Sequence, residues 1–300
     1  MTIGRRGPKQ NSGWSRMFTH LVLVMVISAV FSQSVQCYGA DLKTPVLKTM
    51  EIDELSRGKA AWIILDARPV ALWEKAHIPG AVSFSWETHT RTDERNIPYR
   101  VKEPRELAAV LGSLGIGVDT PVVVYGDADT SWGGEGWVAW VLTWLGHKGT
   151  IAILDGGIEA WKGKGLELVP GKESGTRPPT VYQFSTVSAM MVSANDLYNR
   201  GETYQLVDTR STLEWLRSRI PGAVHIPWEK FFTARQREPL DRASLIELLR
   251  KNKIAIDKPV VYYCTGGIRS GYAWMVHELA GLPRAINYEG GTEEWNVVYP

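Results

Sequence analysis

The chain says nearly the same thing twice, and a duplicated order of motifs constrains its fold more than any single residue does. Ile63-Ile64-Leu65-Asp66-Ala67-Arg68 returns 142 residues later as Gln205-Leu206-Val207-Asp208-Thr209-Arg210. His77-Ile78-Pro79-Gly80-Ala81-Val82 returns at the same spacing as Arg219-Ile220-Pro221-Gly222-Ala223-Val224. Val122-Val123-Val124-Tyr125-Gly126 returns after 138 residues as Val260-Val261-Tyr262-Tyr263-Cys264, and Asp155-Gly156-Gly157 through Trp161 returns after 134 as Glu289-Gly290-Gly291 through Trp295. Four landmarks in one order make a duplicated domain. The shrinking spacing needs only short deletions, which surface loops tolerate.

Within each unit, short β-branched runs alternate with amphipathic stretches. Residues 63–66, 122–125 and 151–154 read as strands, while 103–114 and 137–145 carry apolar residues at helical spacing. Continuous apolar strands alternating with helices predict a parallel sheet covered on both faces. The expected fold class is therefore α/β, twice. The stretch 171–179, rich in Gly, Pro, Ser and charge, marks the boundary. The expected domains are 41–170 and 188–300, with 171–187 as linker.

The N-terminus has the order of a secretion signal: Arg5, Arg6, Lys9 and Arg16, then an apolar run from Leu21 to Phe31, then polar or small residues up to Ala40. Residues 1–40 are expected to be a cleaved signal, removed after Cys37 or Gly39, and the protein is expected to be exported to the periplasm. The apolar run is short for a membrane span, which takes about 20 residues; an uncleaved N-terminal membrane anchor is the alternative. The segment before Cys37, Ser34-Val35-Gln36, lacks the residues lipidation needs. Without these 40 residues the balance falls from 34 basic and 32 acidic side chains to 30 and 32. A near-neutral chain without a basic stripe gives no support for nucleic-acid binding.

Two cysteines are present, Cys37 and Cys264, and loss of the signal leaves one unpaired thiol in an exported protein. Cys264 ends the apolar run Val260–Tyr263 and opens the segment Thr265-Gly266-Gly267-Ile268-Arg269-Ser270. A thiol becomes a nucleophile as thiolate. A helix starting near Ser270 would aim its positive end at the sulfur, Gly266 and Gly267 would let backbone N–H groups converge on it, and Arg269 adds a permanent charge. The bland alternative is a buried structural thiol for Cys264 and a surface helix position for Arg269.

With these motifs in place the chain resembles the tandem-domain rhodaneses, the thiosulfate and 3-mercaptopyruvate sulfurtransferase family, over nearly all of residues 45–298. The marks are Asp-x-Arg at a strand end, the Ile-Pro-Gly-Ala-Val segment after it, the strand-Cys-loop and the closing Gly-Gly-x-x-x-Trp. The resemblance implies two tandem rhodanese-like domains, each a parallel sheet flanked by helices. It also implies a reaction in which Cys264 takes a sulfane sulfur from a small anionic donor as a persulfide and passes it to cyanide, a thiol or a protein acceptor, with no metal or organic cofactor. Thr265, Gly266, Gly267, Ile268, Arg269 and Ser270 would form the sulfur-binding loop. Arg210 matches the family's substrate-facing arginine and would hold the donor's anionic group. Asp66, Arg68, His77 and Asp208 read as structural. The donor stays open. Many thiosulfate enzymes carry a basic residue just after the cysteine, where Thr265 and Gly266 stand here, and the usual mercaptopyruvate loop carries a serine before its glycine and a threonine where Arg269 stands.

The first unit has Gly126 where the second has Cys264, and its loop brings Asp127 and Asp129, so it is expected to be silent. Asp127, Asp129 and Ser131 begin a calcium-loop spacing, but Trp132 fills the glycine position and Val138 the glutamate position, which argues against a metal. Of the thirteen tryptophans, Trp132, Trp137, Trp140 and Trp144 cluster on one helix and its entry loop; Trp137, Trp140 and Trp144 fall at helical spacing and are expected to pack in the core or between domains, an aromatic ligand site being the alternative. Two other functions share this framework. A Cys-loop phosphatase or arsenate reductase needs five residues between Cys and Arg, where this chain has four. A sulfur carrier would use the same Cys264 and differ in its acceptor.

Overall fold

The computed structural model describes residues 1–2, 4, 46–127, 130–171, 177–200 and 203–300. The expected signal segment and Cys37 lie outside the described residues, and no helix within them is long and apolar enough to cross a membrane.

The first half runs β1 (Leu47–Met50), α1 (Ile52–Gly58), β2 (Ile63–Asp66), α2 (Val70–Lys75), β3 (Ala81–Ser83), α3 (Trp86–His89), β4 (Thr90–Arg91), β5 (Arg100–Val101), α4 (Pro104–Ser113), β6 (Val122–Tyr125), α5 (Gly134–Trp144), β7 (Ile151–Leu154) and α6 (Gly157–Gly163). The second runs α7 (Ala194–Arg200), β8 (Gln205–Asp208), α8 (Thr212–Arg217), β9 (Val224–His225), α9 (Arg242–Lys251), β10 (Val260–Tyr263), α10 (Ile268–Leu279), β11 (Ala285–Tyr288) and α11 (Gly291–Val298). The first sheet has the order β1-β7-β6-β2-β3 and the second β11-β10-β8-β9, with every neighbouring pair parallel. The three strands expected from apolar runs in the first unit fall where the sequence places them. Among the described residues the second sheet has no counterpart of β1, and a 3-10 turn at Ser188–Met190 stands there instead.

Strand alternation sorts the apolar side chains into two environments. Val122 and Val124 of β6, with Val260 and Tyr262 of β10, join one large core shared by both halves. Val123 and Tyr125 face a smaller core belonging to the first half, and Val261 and Tyr263 one belonging to the second. Helices α5 and α10 cross inside the shared core, with Trp137 backbone against Gly271. Trp137 and Trp140 are fully buried there and Trp144 nearly so, as helical spacing led one to expect. The segment read as linker is not loose where it is described. The backbone N–H groups of Thr180, Ser185 and Val187 donate to Gly112, Leu145 and Trp144 of the first half, and Tyr182 is buried against His147.

Asp-x-Arg and Ile-Pro-Gly form the same network in both halves. Arg68 holds the Asp66 carboxylate through Nε and Nη2 (2.9 and 2.6 Å) and donates to the Ala76 carbonyl, while Tyr125 donates to Asp66 and receives the Ile78 N–H. Arg210 holds Asp208 the same way (3.0 and 2.7 Å) and donates to the Ser218 carbonyl, with the Ile220 N–H donating to Tyr263. Each network ties the end of a central strand to the loop that follows its neighbour.

Candidate active site

Cys264 stands at the carboxyl end of β10, the edge at which open parallel sheets place their sites. The chain must turn sharply there to enter α10. Gly267 makes the turn at φ +85°, a conformation that side chains resist. The helix therefore begins at Ile268, two residues earlier than the sequence suggests, and Arg269 and Ser270 lie in its first turn.

The loop's carbonyls are committed elsewhere: Thr292 N–H donates to Cys264 O (2.9 Å) and Glu293 N–H to Thr265 O (3.2 Å). In a trans peptide the N–H points opposite to the carbonyl. The N–H groups of Thr265 and Gly266 are thereby turned from α11 toward the side where these two residues line a cavity of about 430 Å3. Cys264 is 1% exposed, and Ser270 Oγ lies 3.6 Å from its sulfur. Ser270 donates its one proton to Asn287 Oδ1 at 2.6 Å, while Asn287 Nδ2 holds the Gly267 carbonyl. These bonds fix the depth of the sulfur beneath the cavity floor.

Cys264, Thr265, Gly266, Ile268 and Arg269, all named from the sequence, line the cavity. Gly267 and Ser270 act from behind it. Arg210 is a correction. Its guanidinium is buried and engaged on Asp208, Ser218 and, at 3.4 Å, Thr292, and it does not line the cavity. The physical reason is visible in the repeat: Arg68 does the same work in a half that has no nucleophile.

Four further residues line the cavity, none of them named as a site residue from the sequence. Glu214, on α8, accepts two parallel hydrogen bonds from Arg269 (2.7 and 2.8 Å), another from Thr265 Oγ1 (3.1 Å), and one each from the Ser211 hydroxyl and N–H. Hydrogen bonding by Arg269, against the cost of burial, holds the Glu214 carboxyl far below its ordinary range. Burial works against charge on Arg269, yet Glu214 and the neighbouring Cys264 sulfur raise it above its ordinary value. The sequence did carry a signal, since Ser211 and Glu214 form a capping box at the start of α8.

Trp86, Tyr99 and Trp132 come from the first half and form the cavity's aromatic wall. Trp132 is half exposed, with the Arg269 guanidinium 5.6 Å from its ring. Tyr99 stands so close over the catalytic loop that a Cβ on Gly266 would collide with it. The hairpin carrying Tyr99 is anchored on the second half: Arg100 pairs with Glu289 at 2.8 Å, Val101 N–H donates to the same carboxylate at 2.5 Å, and Arg95 pairs with Glu294 at 3.1 Å.

The matching loop of the first half is filled. A Cβ on Gly126 would collide with the Glu135 carboxylate and approach Ser131 Oγ at 2.8 Å. Asp127 spends its oxygens on Thr130 and Ser131, and Asp129 lies outside the described residues. Burial, reinforced by Asp127 and Asp66, pushes Glu135 up to about 7. An unfolded chain would release that proton near 4.5, so stability is lost as pH rises from there to about 7 and is level above. Glu135→Gln is therefore expected to stabilise the protein by on the order of 3 kcal/mol at pH 8 and by little at pH 4.5. Denaturant unfolding of both proteins at the two pH values checks this; an equal difference at each would remove Glu135 as the cause.

Comparison with known proteins agrees with this architecture. A model of the rhodanese-like domain matches twice, at residues 51–164 and 193–297. The chain is 28% identical to the thiosulfate sulfurtransferase of Pseudomonas aeruginosa, over 79% of this chain and 89% of that protein. It is 29% identical to the sulfur carrier protein TtuD of Thermus thermophilus, over 85% of this chain and 89% of that one. The crystal structure of SseA from Escherichia coli, described with the 3-mercaptopyruvate sulfotransferases, superposes with a TM-score of 0.72 over 82% of this chain and 99% of that one, at 23% identity. With both halves matched and one nucleophile between them, the chain belongs to the rhodanese family as a tandem-domain sulfurtransferase.

Proposed function

We propose that this sulfurtransferase loads a sulfane sulfur from a small anionic donor, thiosulfate or 3-mercaptopyruvate, onto Cys264 and delivers it to a thiol or protein acceptor, with cyanide as a laboratory substitute. The observation that carries the reading is the buried Cys264 thiol, the one thiol among the described residues, under a cavity, with loop carbonyls tied down and N–H groups turned the other way. Such a loop suits the negative charge of a persulfide. With thiosulfate, the thiolate sulfur attacks the outer sulfur, the S–S bond to the sulfonate breaks, and sulfite leaves with the bonding pair; the charge moves to the terminal persulfide sulfur. An acceptor nucleophile then takes that sulfur and returns the thiolate.

A phosphoryl or arsenate reaction is disfavoured by the short loop and by Arg269 being spent on Glu214. A carrier role rests on the likeness to TtuD and differs only in the acceptor. Export to the periplasm remains part of the proposal, supported by the order of basic, apolar and small residues in 1–40.

Intact mass of the protein purified from its own host tests these together. One added sulfur after thiosulfate or mercaptopyruvate, removed by cyanide as thiocyanate, is expected. No gain with either donor would overturn sulfur loading, loss to a protein partner but not to cyanide would favour the carrier, and a mass that still includes residues 1–37 would rule out the cleaved signal.

A further inference from the structure

The cavity's charge is the feature that sulfur transfer alone does not explain. Among the described residues, Arg269 and Glu214 are the only charged side chains lining it, and they face each other through two parallel hydrogen bonds. Arg269 Nη2 also donates to Thr265 Oγ1, and the Trp132 ring covers the guanidinium. The pair is nearly buried on the arginine side, at 10% side-chain exposure. A fork already filled by a carboxylate has little left for a second anion. A donor entering the cavity therefore meets side chains of zero net charge and an aromatic wall. A small dianion would give up its hydration there with no cation in exchange.

Resting on the sulfurtransferase reading, we infer that Glu214 is a specificity-determining positioning residue: by occupying Arg269 it turns the cavity against small doubly charged donors and toward donors of one negative charge with an apolar or aromatic body. The wall of Trp86, Tyr99 and Trp132 would take that body. The step is the same for both classes. For an aryl thiosulfonate, the Cys264 thiolate attacks the terminal sulfur, the S–S bond breaks, and the aryl sulfinate leaves with the electron pair. One negative charge stays on the persulfide and one on the sulfinate.

Steady-state transfer to cyanide, with thiosulfate and benzenethiosulfonate compared, tests this on the full mature protein. The wild type is expected to show the lower KM for benzenethiosulfonate. Glu214→Gln, which keeps the shape but removes the charge and turns one of the two accepting oxygens into a donor, is expected to lower the thiosulfate KM about tenfold relative to the aryl donor. That gain should fade as ionic strength rises. Mere damage to the loop cannot produce a gain. Trp132→Ala, which truncates an exposed side chain, is expected to shift the ratio of the two KM values severalfold toward thiosulfate, and it reads the wall independently if Glu214→Gln fails to fold. Proportional loss with both donors in Glu214→Gln, or a ratio unmoved by either variant, would overturn the inference while leaving sulfur transfer intact. If neither donor loads the wild type, the sulfur-transfer reading fails first and this inference with it.

Discussion

Cys264→Ser is expected to gain no sulfur from any donor and to lose at least about a thousandfold in transfer to cyanide, while folding normally. Serine matches cysteine in shape, so the buried position and the Ser270 neighbour are kept, but its oxygen is not ionised near neutral pH and cannot carry sulfane sulfur as a persulfide. The first half offers no substitute. Adding Gly126→Cys to Cys264→Ser is expected to restore nothing, because the new side chain would have to enter space held by the Glu135 carboxylate. Intact mass after donor treatment reads both variants; measurable loading of the double variant would show that the first loop can be reopened and that its silence is not built into the packing.

The second large effect belongs to Arg210, and it is expected in stability rather than in donor binding. Arg210→Ala would leave the fully buried Asp208 carboxylate without its partner and the Ser218 carbonyl without its donor. Breaking a buried pair from one side costs about 3–5 kcal/mol. Urea unfolding should show that loss, with the surviving folded enzyme keeping the wild-type KM for donor. A raised KM at unchanged stability would return Arg210 to the substrate and contradict the network described above.

That residue also shows where sequence reading stops. Asp-x-Arg at a strand end is compatible with an arginine aimed outward at an anion or folded back on its own aspartate, and spacing does not separate the two. The discriminating observation was in the repeat, because the matching Asp66-Ala67-Arg68 sits in a half with no thiol to serve. Strands β2, β6, β7 and β10 were legible because each is a continuous apolar run buried on both faces. β1, Leu-Lys-Thr-Met, carries no such signal and is defined by its pairing with β7. Cys264 and its loop could be found because the chemistry lies in consecutive residues. The rest of the cavity could not: Glu214 is 55 residues from Arg269, and the Val101 to Glu289 contact spans 188. Nothing local tells an acidic capping residue that its carboxylate will meet an arginine from another helix.

The hairpin that places Tyr99 over Gly266 has a consequence for how the protein is made. Chains emerge from the ribosome amino end first, and domains generally fold as they appear. All the strands of the first sheet are complete by Leu154, so Trp86, Tyr99 and Trp132 are made well before residue 264, but the carboxylates that anchor the hairpin, Glu289 and Glu294, are made after it. The wall is therefore not fixed over the sulfur until residues 289–294 have followed it out of the ribosome. A half without a thiol of its own is thus tied to the reactive loop by some of the last residues made, and its cover over Cys264 forms only once they are present.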